Sequence, residues 1–290
     1  MVGVVLAAGM GTRLAPLTDL LPKPLCPVGN VALVDLAVDR VAAAVERVAV
    51  NVHAHRDLML AHLAGDPEGT RLTDVVGRGG TARDVRVQVS VEEPCALGTA
   101  GALGQLRWWI DGCGVLVVNG DTWSLTELSP FVKAWDGQAV SVLLHDPVAL
   151  ASSRQAQLTR TSRLVATILP WREVARLDAL PSGLYQTNIA PAAEAGRLVT
   201  VACGGPFFDC GSPARYLAAN MASLALAGCE NSLVSTGALM QGSAHRSVIG
   251  DARVLGSVDR SVVWSGAVVE EGERIERAIR THGGTTVLIR

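Results

Sequence analysis

The segment LAAGMGTRLAPLT, from Leu6 to Thr18, follows an apolar run from Val2 to Leu6 and precedes PKPLCPVGN, from Pro22 to Asn30. The short apolar run predicts a buried strand. Gly9 and Gly11 can adopt positive φ and carry no Cβ that would obstruct a ligand, so successive backbone amides can face one bound anion. An ordinary turn after a strand has the same composition, and these residues alone leave both interpretations open.

Three side chains of this stretch suit phosphate. Thr12 offers a hydroxyl, and Arg13 offers a planar, permanently charged guanidinium. Lys23 lies between two prolines and is one of only two lysines, against 23 arginines. Two common phosphate motifs are excluded, because Leu14 occupies the third glycine position of the dinucleotide fingerprint and no Gly-Lys-Ser/Thr follows.

Composition restricts the class of protein. Of the 290 residues, 49% are hydrophobic and 18% are charged, and the net charge is −2. A sizeable core is expected, and the small net charge argues against general binding of nucleic acid or anionic membranes. We expect neither a signal peptide nor a membrane span, since no apolar run approaches roughly 18 residues. The six cysteines have no metal-site spacing, which favours reduced thiols in a cytoplasmic protein.

Strand and helix patterns alternate along the chain. A helical pattern after Asn30, a strand from Arg47 to Val52 and a further helix predict a parallel βαβ unit. A strand from Val85 to Pro94 leads into a turn of small residues, Gly98 to Gly101, which suits either ligand approach or helix packing. Another apolar strand, from Gly114 to Trp123, predicts an α/β fold.

Polar residues follow two of these strands. His53 and His55 come directly after the second strand, and a role at the helix start is favoured over metal binding because no acidic partner is evident. Asp121 comes at the end of a buried strand, where a carboxylate is costly unless a charge or a donor meets it. A helix cap and a metal ligand both fit Asp121 at this point.

The motifs together resemble those of the sugar-1-phosphate nucleotidylyltransferases. The family signature L-A-A/G-G-x-G-T-R-L-x-P-L-T, then P-K-P-L-x-P-V-G, is matched from Leu6 to Gly29. Family patterns also match EEPCALGTAG, NGD, SGLY and FFDCGSPARYLAAN further along. The resemblance implies a Rossmann-like nucleotidyltransferase fold with a mixed, mainly parallel sheet.

The resemblance also implies a set of site residues. The catalytic residues would be Arg13, Lys23 and Asp121, and Mg²⁺ would be held by Asp121 and Asp209. The sugar-phosphate contacts would be Gly183, Tyr185 and Asn188. The nucleotide contacts would be Leu6, Ala7, Ala8, Gly9, Gly11, Thr12, Arg13, Glu93, Gly98, Thr99 and Gly120.

The chain departs from the family where the sugar phosphate is expected to bind. Family members usually carry Glu-Lys-Pro before the small-Gly-x-Tyr motif, but this chain reads Pro170-Trp171-Arg172-Glu173. Arg172 is our candidate substitute for the missing lysine, since it is always charged. A solvated helix residue is an equal alternative.

The composition changes near Gly228. We predict a catalytic domain over residues 1–227, a Gly/Ser-rich linker over 228–247, and a short domain over 248–290. Aliphatic residues at six-residue steps in the last part resemble the hexapeptide left-handed β-helix of this family, with about two coils. A set of hairpins is the alternative. So short a stack would pack on the catalytic domain or on a second copy, and the second alternative would give a homo-oligomer formed through the β-helix.

The function predicted is Mg²⁺-dependent transfer of a nucleotidyl group from an NTP to a sugar-1-phosphate or cyclitol phosphate. A guanylyltransferase acting on mannose-1-phosphate and a non-catalytic nucleotide-sugar regulator are alternatives. A nicotinamide oxidoreductase would share the architecture, but the chain lacks the third glycine and a ribose-binding acid. The base and the sugar stay open.

Overall fold

The computed structural model describes residues 1–64, 87–152, 156–159, 161–229 and 231–289. These residues form two compact units. The first unit contains residues 1–10, 34–64 and most of 87–207, and the second contains 11–33 and most of 208–289. The division differs from the predicted boundary at residue 227, because the loop after the first strand groups with the C-terminal part of the chain.

A seven-stranded sheet forms the centre of the first unit. Its strands in chain order are β1 (Val2–Leu6), β2 (Val48–Val52), β3 (Val87–Val91), β4 (Val115–Asn119), β5 (Val140–His145), β6 (Leu164–Leu169) and β7 (Leu198–Cys203). Their order across the sheet is β7-β5-β6-β4-β1-β2-β3. Only β6 runs antiparallel to its neighbours. The mixed, mainly parallel sheet predicted from the sequence is confirmed.

Continuous runs of valine and leucine explain why the sheet is central. Strands β1, β2, β4 and β5 are apolar over almost their whole length, as expected of strands buried on both faces. Leu6 pairs with both Asn51 and Asn119. The ends of β1, β2 and β4 are therefore level at the carboxyl edge of the sheet, where α/β proteins place their ligands.

Helices cover the sheet, and one face holds a large apolar cluster that includes Leu103, Ile110 and Ile189. The helices are α1 (Leu33–Ala42), α2 (Arg56–Ala64), α3 (Gly98–Gln105), α4 (Arg107–Ile110), α5 (Ser129–Lys133), α6 (Pro147–Ala151), α7 (Trp171–Val174), α8 (Ala190–Glu194) and α9 (Pro213–Leu226). A π-helical turn, Tyr185–Ile189, leads into α8, and two short strands span Thr122–Ser124 and Phe207–Asp209.

The second unit begins with the signature loop. Three single turns of 3₁₀ helix are followed by a short antiparallel pair. The turns are Thr12–Leu14, Leu17–Asp19 and Lys23–Leu25, and the paired strands are Pro27–Val28 and Val31–Ala32. Helix α9 packs on this segment through Asn220, whose Oδ1 accepts a hydrogen bond from the Gly29 amide at 3.1 Å.

Short strands stacked in three parallel sheets complete the second unit. The sheets are β8-β11-β14-β17-β18, β9-β12-β15 and β10-β13-β16, and only the last pair, β17 with β18, is antiparallel. The strands are β8 (Leu233–Val234), β9 (Leu239–Met240), β10 (Ser243–His245), β11 (Val248–Ile249), β12 (Arg253–Val254), β13 (Ser257–Asp259), β14 (Val262–Val263), β15 (Val268–Val269), β16 (Arg274–Glu276), β17 (Ala278–Arg280) and β18 (Thr286–Leu288).

This stack is compatible with the predicted β-helix, and the parallel pairing rules against a set of hairpins. It has three successive coils, beginning with β8, β11 and β14, where about two coils were predicted from the repeat. The predicted linker at 228–247 is wrong, since β8, β9 and β10 form the first coil there. The reason is its composition: Met240 and Ala244 pack against the core of the stack at positions where the later coils carry valine or isoleucine.

Within the described part of the chain, no helix combines the length and the apolar character that a bilayer-spanning segment requires.

Candidate active site

The carboxyl edge of the sheet carries the first part of the candidate site. After β4, the Gly120 amide donates to the Leu6 carbonyl at 2.8 Å. A Cβ at Gly120 would lie 2.9 Å from the Val5 side chain and 3.2 Å from the Leu6 oxygen, so only glycine fits this close approach. The turn places the half-buried Asp121 directly beyond the paired ends of β1 and β4.

A buried relay of side chains connects two predicted ligand loops. The Ala7 amide donates to Asn51 Oδ1, Asn51 Nδ2 donates to Glu92 Oε1, and the Leu97 amide donates to Glu92 Oε2, each at 2.7 Å. Asn51 is 2% exposed and Glu92 is 1% exposed. Glu93, the neighbouring residue that the family resemblance places among the nucleotide contacts, lies on the surface in an ion pair with Arg56.

Asn51 and Glu92 were not predicted as site residues, because neither belongs to a recognisable sequence motif by itself. The available signal was a polar residue inside the apolar run VAVNV, and a second acidic residue beside Glu93. A buried polar group needs a partner, but one sequence does not say which residue provides it.

The small-residue turn at the start of α3 packs against the segment around residue 182. Gly98 has φ +69°, and a Cβ there would lie 2.5 Å from the Ser182 oxygen. The Ala100 amide donates to the same oxygen at 3.0 Å, and Thr99 Oγ1 accepts from the Leu184 amide at 2.7 Å. Close backbone packing therefore accounts for Gly98, and it brings Thr99 next to the SGLY segment.

A cavity of about 340 Å³ opens among these elements. Leu6, Asn119, Thr99 and Tyr185 line it, so residues from the predicted nucleotide set and the predicted sugar set share one cavity. Its volume falls within the range of small-molecule sites. Asn188 is not part of the lining: it is 3% exposed, and its Oδ1 accepts from the Thr187 hydroxyl at 2.6 Å.

Arg172 is not brought together with these residues. Strand β6 runs antiparallel, and its last residue, Leu169, pairs with Val115 at the start of β4. Helix α7 therefore begins at the opposite edge of the sheet. There the Arg172 guanidinium donates to Gln138 Oε1 at 2.7 Å. The expectation that Arg172 contacts the sugar phosphate does not fit this place in the fold.

The second unit gathers charged groups around Asp209. Lys23 Nζ lies 3.4 Å from Asp209 Oδ1, and an Arg215 guanidinium nitrogen lies 3.0 Å from Oδ2. Lys23 is 4% exposed. A Cβ at Gly211 would lie 2.8 Å from Asp209 Oδ1 and 3.3 Å from an Arg13 nitrogen, so Arg13 approaches the same cluster. Arg215 was not selected from the sequence, where it is one arginine among 23.

The glycines of the signature loop differ in what constrains them. Gly11 has φ +63°, and a Cβ there would meet Thr18 at 3.0 Å and Lys23 at 3.1 Å. At Gly9 a Cβ would meet no atom of the described residues within 4 Å. The fold of the loop therefore requires glycine at position 11 and leaves the space beside Gly9 open. Thr12 and Arg13 are exposed, while Ala7 and Ala8 are buried.

Asp121 and Asp209 are the side chains that the family resemblance implies as ligands of a divalent cation. No group of three or more histidine, cysteine, aspartate or glutamate residues in the described ranges could hold a metal ion. Mg²⁺ commonly takes only one or two carboxylates, with substrate phosphates and water as its other ligands. Asp121 and Asp209 have the right chemistry for this, although Asp209 would exchange an ion pair with Lys23 or Arg215 for the metal.

Comparison with known proteins gives a family and two kinds of relative. The profile of the nucleotidyl transferase family matches residues 2–148. The chain is 36% identical over 148 residues to N-acetylmuramate alpha-1-phosphate uridylyltransferase of Caulobacter vibrioides, which covers 49% of this chain and 56% of the relative. It is 27% identical over 242 residues to mannose-1-phosphate guanyltransferase of Aspergillus fumigatus, which covers 75% of this chain and 62% of the relative.

A solved structure shares the fold. It is a proposed glucose-1-phosphate thymidylyltransferase from Bacillus anthracis in complex with sucrose, with a TM-score of 0.55 and 18% identity. The match covers 80% of this chain and 97% of that one. The chain spans about half the length of the uridylyltransferases that it matches.

Proposed function

Because the chain belongs to the nucleotidyl transferase family, we propose that it transfers a nucleotidyl group from an NTP to a sugar-1-phosphate and releases pyrophosphate. An oxygen of the acceptor phosphate forms the new bond to the α-phosphorus as the bond to pyrophosphate breaks. Direct displacement needs no nucleophile from the protein. What the protein must provide is alignment and positive charge where negative charge accumulates.

One observation carries this proposal: the cavity at the carboxyl edge of the sheet. Leu6 and Asn119 line it from β1 and β4, and Thr99 and Tyr185 line it from the two segments that pack on each other. Leu6 and Thr99 belong to the nucleotide contacts that the family resemblance implies, and Tyr185 belongs to the sugar-phosphate contacts. An NTP phosphate placed beside Gly9 and an acceptor in the cavity would both lie at the end of β1.

The charged residues have separate roles in this proposal. Arg13 and Lys23 neutralise the transferred and the leaving phosphates, a task that suits a guanidinium and an ammonium respectively. Asp121 and Asp209 would hold Mg²⁺, and Arg215 would pass from Asp209 to a phosphate oxygen. When bound, the metal supplies charge neutralisation and orientation of the phosphates.

The acceptor and the base are proposed only as classes. The uridylyltransferase relatives have the higher identity and the guanylyltransferase relatives cover more of the chain, so we propose UTP and GTP as the first donors to test. N-acetylmuramate 1-phosphate and mannose-1-phosphate are the matching acceptors. A regulator without activity is less well supported, since Lys23, Asp121 and Asp209 are all present.

Two further properties are proposed with the function. Six free cysteines support a cytoplasmic location, where thiols stay reduced. The stack of three coils ends at β8, β9 and β10, each of which pairs on one side only within the described residues. This supports a homo-oligomer formed through the stack, since open sheet edges favour pairing.

The test measures pyrophosphate release with each NTP, Mg²⁺ and a panel of sugar-1-phosphates. We expect release that needs both substrates and that increases with the acceptor concentration. Asp121→Asn serves as the inactive control. If no pair of substrates gives release above this control, the proposed function is wrong.

A further inference from the structure

We infer that Asn51 and Glu92 are a positioning pair that holds two substrate loops in one fixed arrangement. The inference rests on the proposed function, since it takes the loops at Ala7 and Leu97 to contact the NTP. Neither side chain would touch the substrate. Each would act through the backbone amide that it fixes.

The two amides occupy corresponding places in the two loops. Ala7 immediately precedes Ala8 and Gly9 in the signature loop, and Leu97 immediately precedes Gly98 and Thr99 in the second loop. Both amides point inward, to Asn51 Oδ1 and to Glu92 Oε2, at 2.7 Å. Because the amide of Ala7 or Leu97 is held inward, the plane of its peptide bond is fixed. The same hydrogen bond therefore sets the direction in which the next residues of that loop continue.

The donor and the acceptor of each hydrogen bond in the relay can be assigned. A backbone amide only donates, so Asn51 must present its oxygen to Ala7 and its Nδ2 to Glu92. Glu92 then faces a donor at each oxygen, one from Asn51 and one from Leu97. Only a carboxylate accepts at both ends, which explains why a charged group lies in a place that is 1% exposed.

The relay also explains why the two loops would move together. Each member is buried and bonded at both ends, so a shift of one amide leaves a buried donor or acceptor without a partner. Such a group costs about 1–3 kcal/mol. Strand pairing of Asn51 with Leu6 on one side and with Ser90 on the other fixes the middle of the relay. The loops therefore share one rigid connection.

Single substitutions reverse one donor or acceptor of the relay. Glu92→Gln places an amide nitrogen against either Leu97 N or Asn51 Nδ2, and turning the Asn51 amide only moves the conflict to Ala7. Asn51→Asp places two carboxylates against each other. The double change Asn51→Asp with Glu92→Gln removes both conflicts, because the new carboxylate accepts from Ala7 and from the new amide, whose oxygen accepts from Leu97.

The experiment measures the NTP dissociation constant by calorimetry, the KM of each substrate and the midpoint of thermal unfolding. We expect each single variant to weaken NTP binding about tenfold, a cost of about 1.4 kcal/mol, with the KM of the sugar phosphate unchanged. The double variant should recover to within about threefold of wild type, since contacting residues are not additive.

Gln105→Leu is the matched control. Gln105 Nε2 donates to Ser90 Oγ at 3.2 Å and to the Val91 carbonyl at 2.6 Å, so it ties α3 to β3 without reaching either loop amide. It should lower the unfolding midpoint and leave NTP affinity unchanged. If the single variants behave like Gln105→Leu, the pair is only structural and the inference is overturned.

Two further outcomes are kept apart. If Glu92→Gln does not fold, Glu92→Asp replaces it, because a carboxylate shortened by one methylene cannot accept from both the Leu97 amide and Asn51 Nδ2. Unchanged NTP affinity in Glu92→Asp would overturn the inference. A wild type that binds NTP but transfers nothing contradicts the proposed function alone, since the affinities still test the pair.

Discussion

Lys23 is the residue on which the proposed chemistry depends most. The residue is 4% exposed, its Nζ lies 3.4 Å from Asp209 Oδ1, and Gly11 leaves room beside its Cβ. Its charge should count most when negative charge collects on the departing pyrophosphate, and such a difference between transition state and ground state raises kcat. We expect Lys23→Ala to lower kcat by about 10²-fold or more, with a smaller effect on NTP affinity.

Lys133→Ala is the control, because Lys133 is the only other lysine and is exposed. It should leave both parameters unchanged. Lys23→Arg tests the need for a compact charge beside Asp209, and we expect poor recovery because a planar guanidinium does not reproduce the point charge of an ammonium. Wild-type steady-state kinetics in Lys23→Arg would contradict the point-charge argument.

Asp121 and Asp209 allow a second prediction at this scale. If each holds Mg²⁺, Asp121→Asn and Asp209→Asn should each reduce turnover by about 10²-fold or more while the fold is retained. Binding of Mn²⁺ with NTP, followed by electron paramagnetic resonance, separates a lost metal ligand from a lost ion pair. Arg215→Ala removes an ion pair of Asp209 but no metal ligand, so it should retain Mn²⁺ binding when NTP is saturating. Near wild-type turnover in either aspartate variant argues against the metal assignment.

Single residues were predictable from the sequence where the motif is local. Gly11 meets Thr18 and Lys23 of its own motif and was predicted from that motif. Gly120 was predicted from the local NGD motif, although Val5 and Leu6, which require glycine there, are far away in sequence. Glu92 was missed and Arg172 was placed wrongly because their surroundings depend on strands far away in sequence. The antiparallel direction of β6, which carries Arg172 to the other edge, is not encoded in the residues around it.

At the scale of elements, the coils are tied together by a column of buried serines. Ser247 Oγ accepts from the Ser261 amide at 3.1 Å, and Ser261 Oγ accepts from the Ala278 amide at 3.0 Å. Both serines are fully buried. Each follows an arginine with positive φ, Arg246 or Arg260, at the corner of a coil. The repeated corner thus has one conformation and one hydrogen bond per coil.

Ser261→Ala should destabilise the protein by about 1–3 kcal/mol, because it leaves the buried Ala278 amide without its acceptor. Urea unfolding followed by circular dichroism measures the change. Ser257→Ala is the control, since Ser257 lies half-buried on a face of the stack and should change stability by no more than about 0.5 kcal/mol. Equal effects of the two substitutions would show that the hydrogen bond from the Ala278 amide to Ser261 Oγ does not contribute to the free energy of unfolding.

Helices α1 and α2 carry a pH-dependent contact. Burial and the neighbouring Asp35 raise the pKa of Asp39 from 3.8 to about 6, while the hydrogen bond to Asp35 raises the pKa of His62. A folded-state pKa above the unfolded value means that Asp39 stabilises the fold below about pH 4 and that this contribution is lost as the pH rises through about 6.

Asp39→Asn should therefore stabilise the protein above pH 6, by on the order of 1 kcal/mol after allowance for solvent screening at this half-buried site. The gain should vanish near pH 4, where the wild-type carboxyl is protonated. Thermal unfolding of the wild type and of Asp39→Asn from pH 4 to pH 8 measures this gain. His62 is present in both proteins, so its contribution to the pH dependence cancels in the difference. A gain that does not depend on pH would contradict the assignment.

Elements were predictable from the sequence wherever an apolar run was continuous. The strands β1, β2 and β4 follow from runs of valine in which Asn51 and Asn119 are the polar residues. The first coil did not follow, because Ala244 is too small to mark an inward position where the later coils carry valine and isoleucine. The amides of Leu239, Gln241 and Ser243 donate to carbonyls of the second coil, and a local pattern does not contain these partners.

At the scale of the whole molecule, the second unit joins two parts of the chain that are far apart in sequence. The Tyr216 hydroxyl donates to the Pro27 carbonyl, and Trp264 Nε1 donates to the Tyr216 oxygen at 2.9 Å. Asn30 Nδ2 donates to the Ile249 carbonyl at 2.9 Å. The segment after Lys23 is therefore held by α9 and by the coils. No pattern within 11–33 predicts these partners, so the grouping of this segment with the C-terminal part of the chain does not follow from the sequence.

This arrangement predicts that the coils are needed for activity and not only for assembly. A chain ending at residue 227 loses Trp264 and Ile249, so the Pro27 to Asn30 turn loses two of its supports and Lys23 loses its fixed position. A misplacement of about 1 Å can cost about 10²-fold in rate. We expect the shortened protein to lose at least that much kcat, measured by pyrophosphate release, while circular dichroism still reports the helices of the first unit.

Asn30→Gly tests the same connection without removing a domain. Asn30 has φ +67°, which glycine adopts at no cost, so the substitution removes only the hydrogen bond to Ile249. We expect kcat to fall by roughly three- to tenfold, since a single hydrogen bond contributes about 1 kcal/mol, with no change in the KM of the sugar phosphate. If the chain ending at residue 227 keeps wild-type kcat, the coils do not position Lys23, and their role is confined to contacts with other molecules.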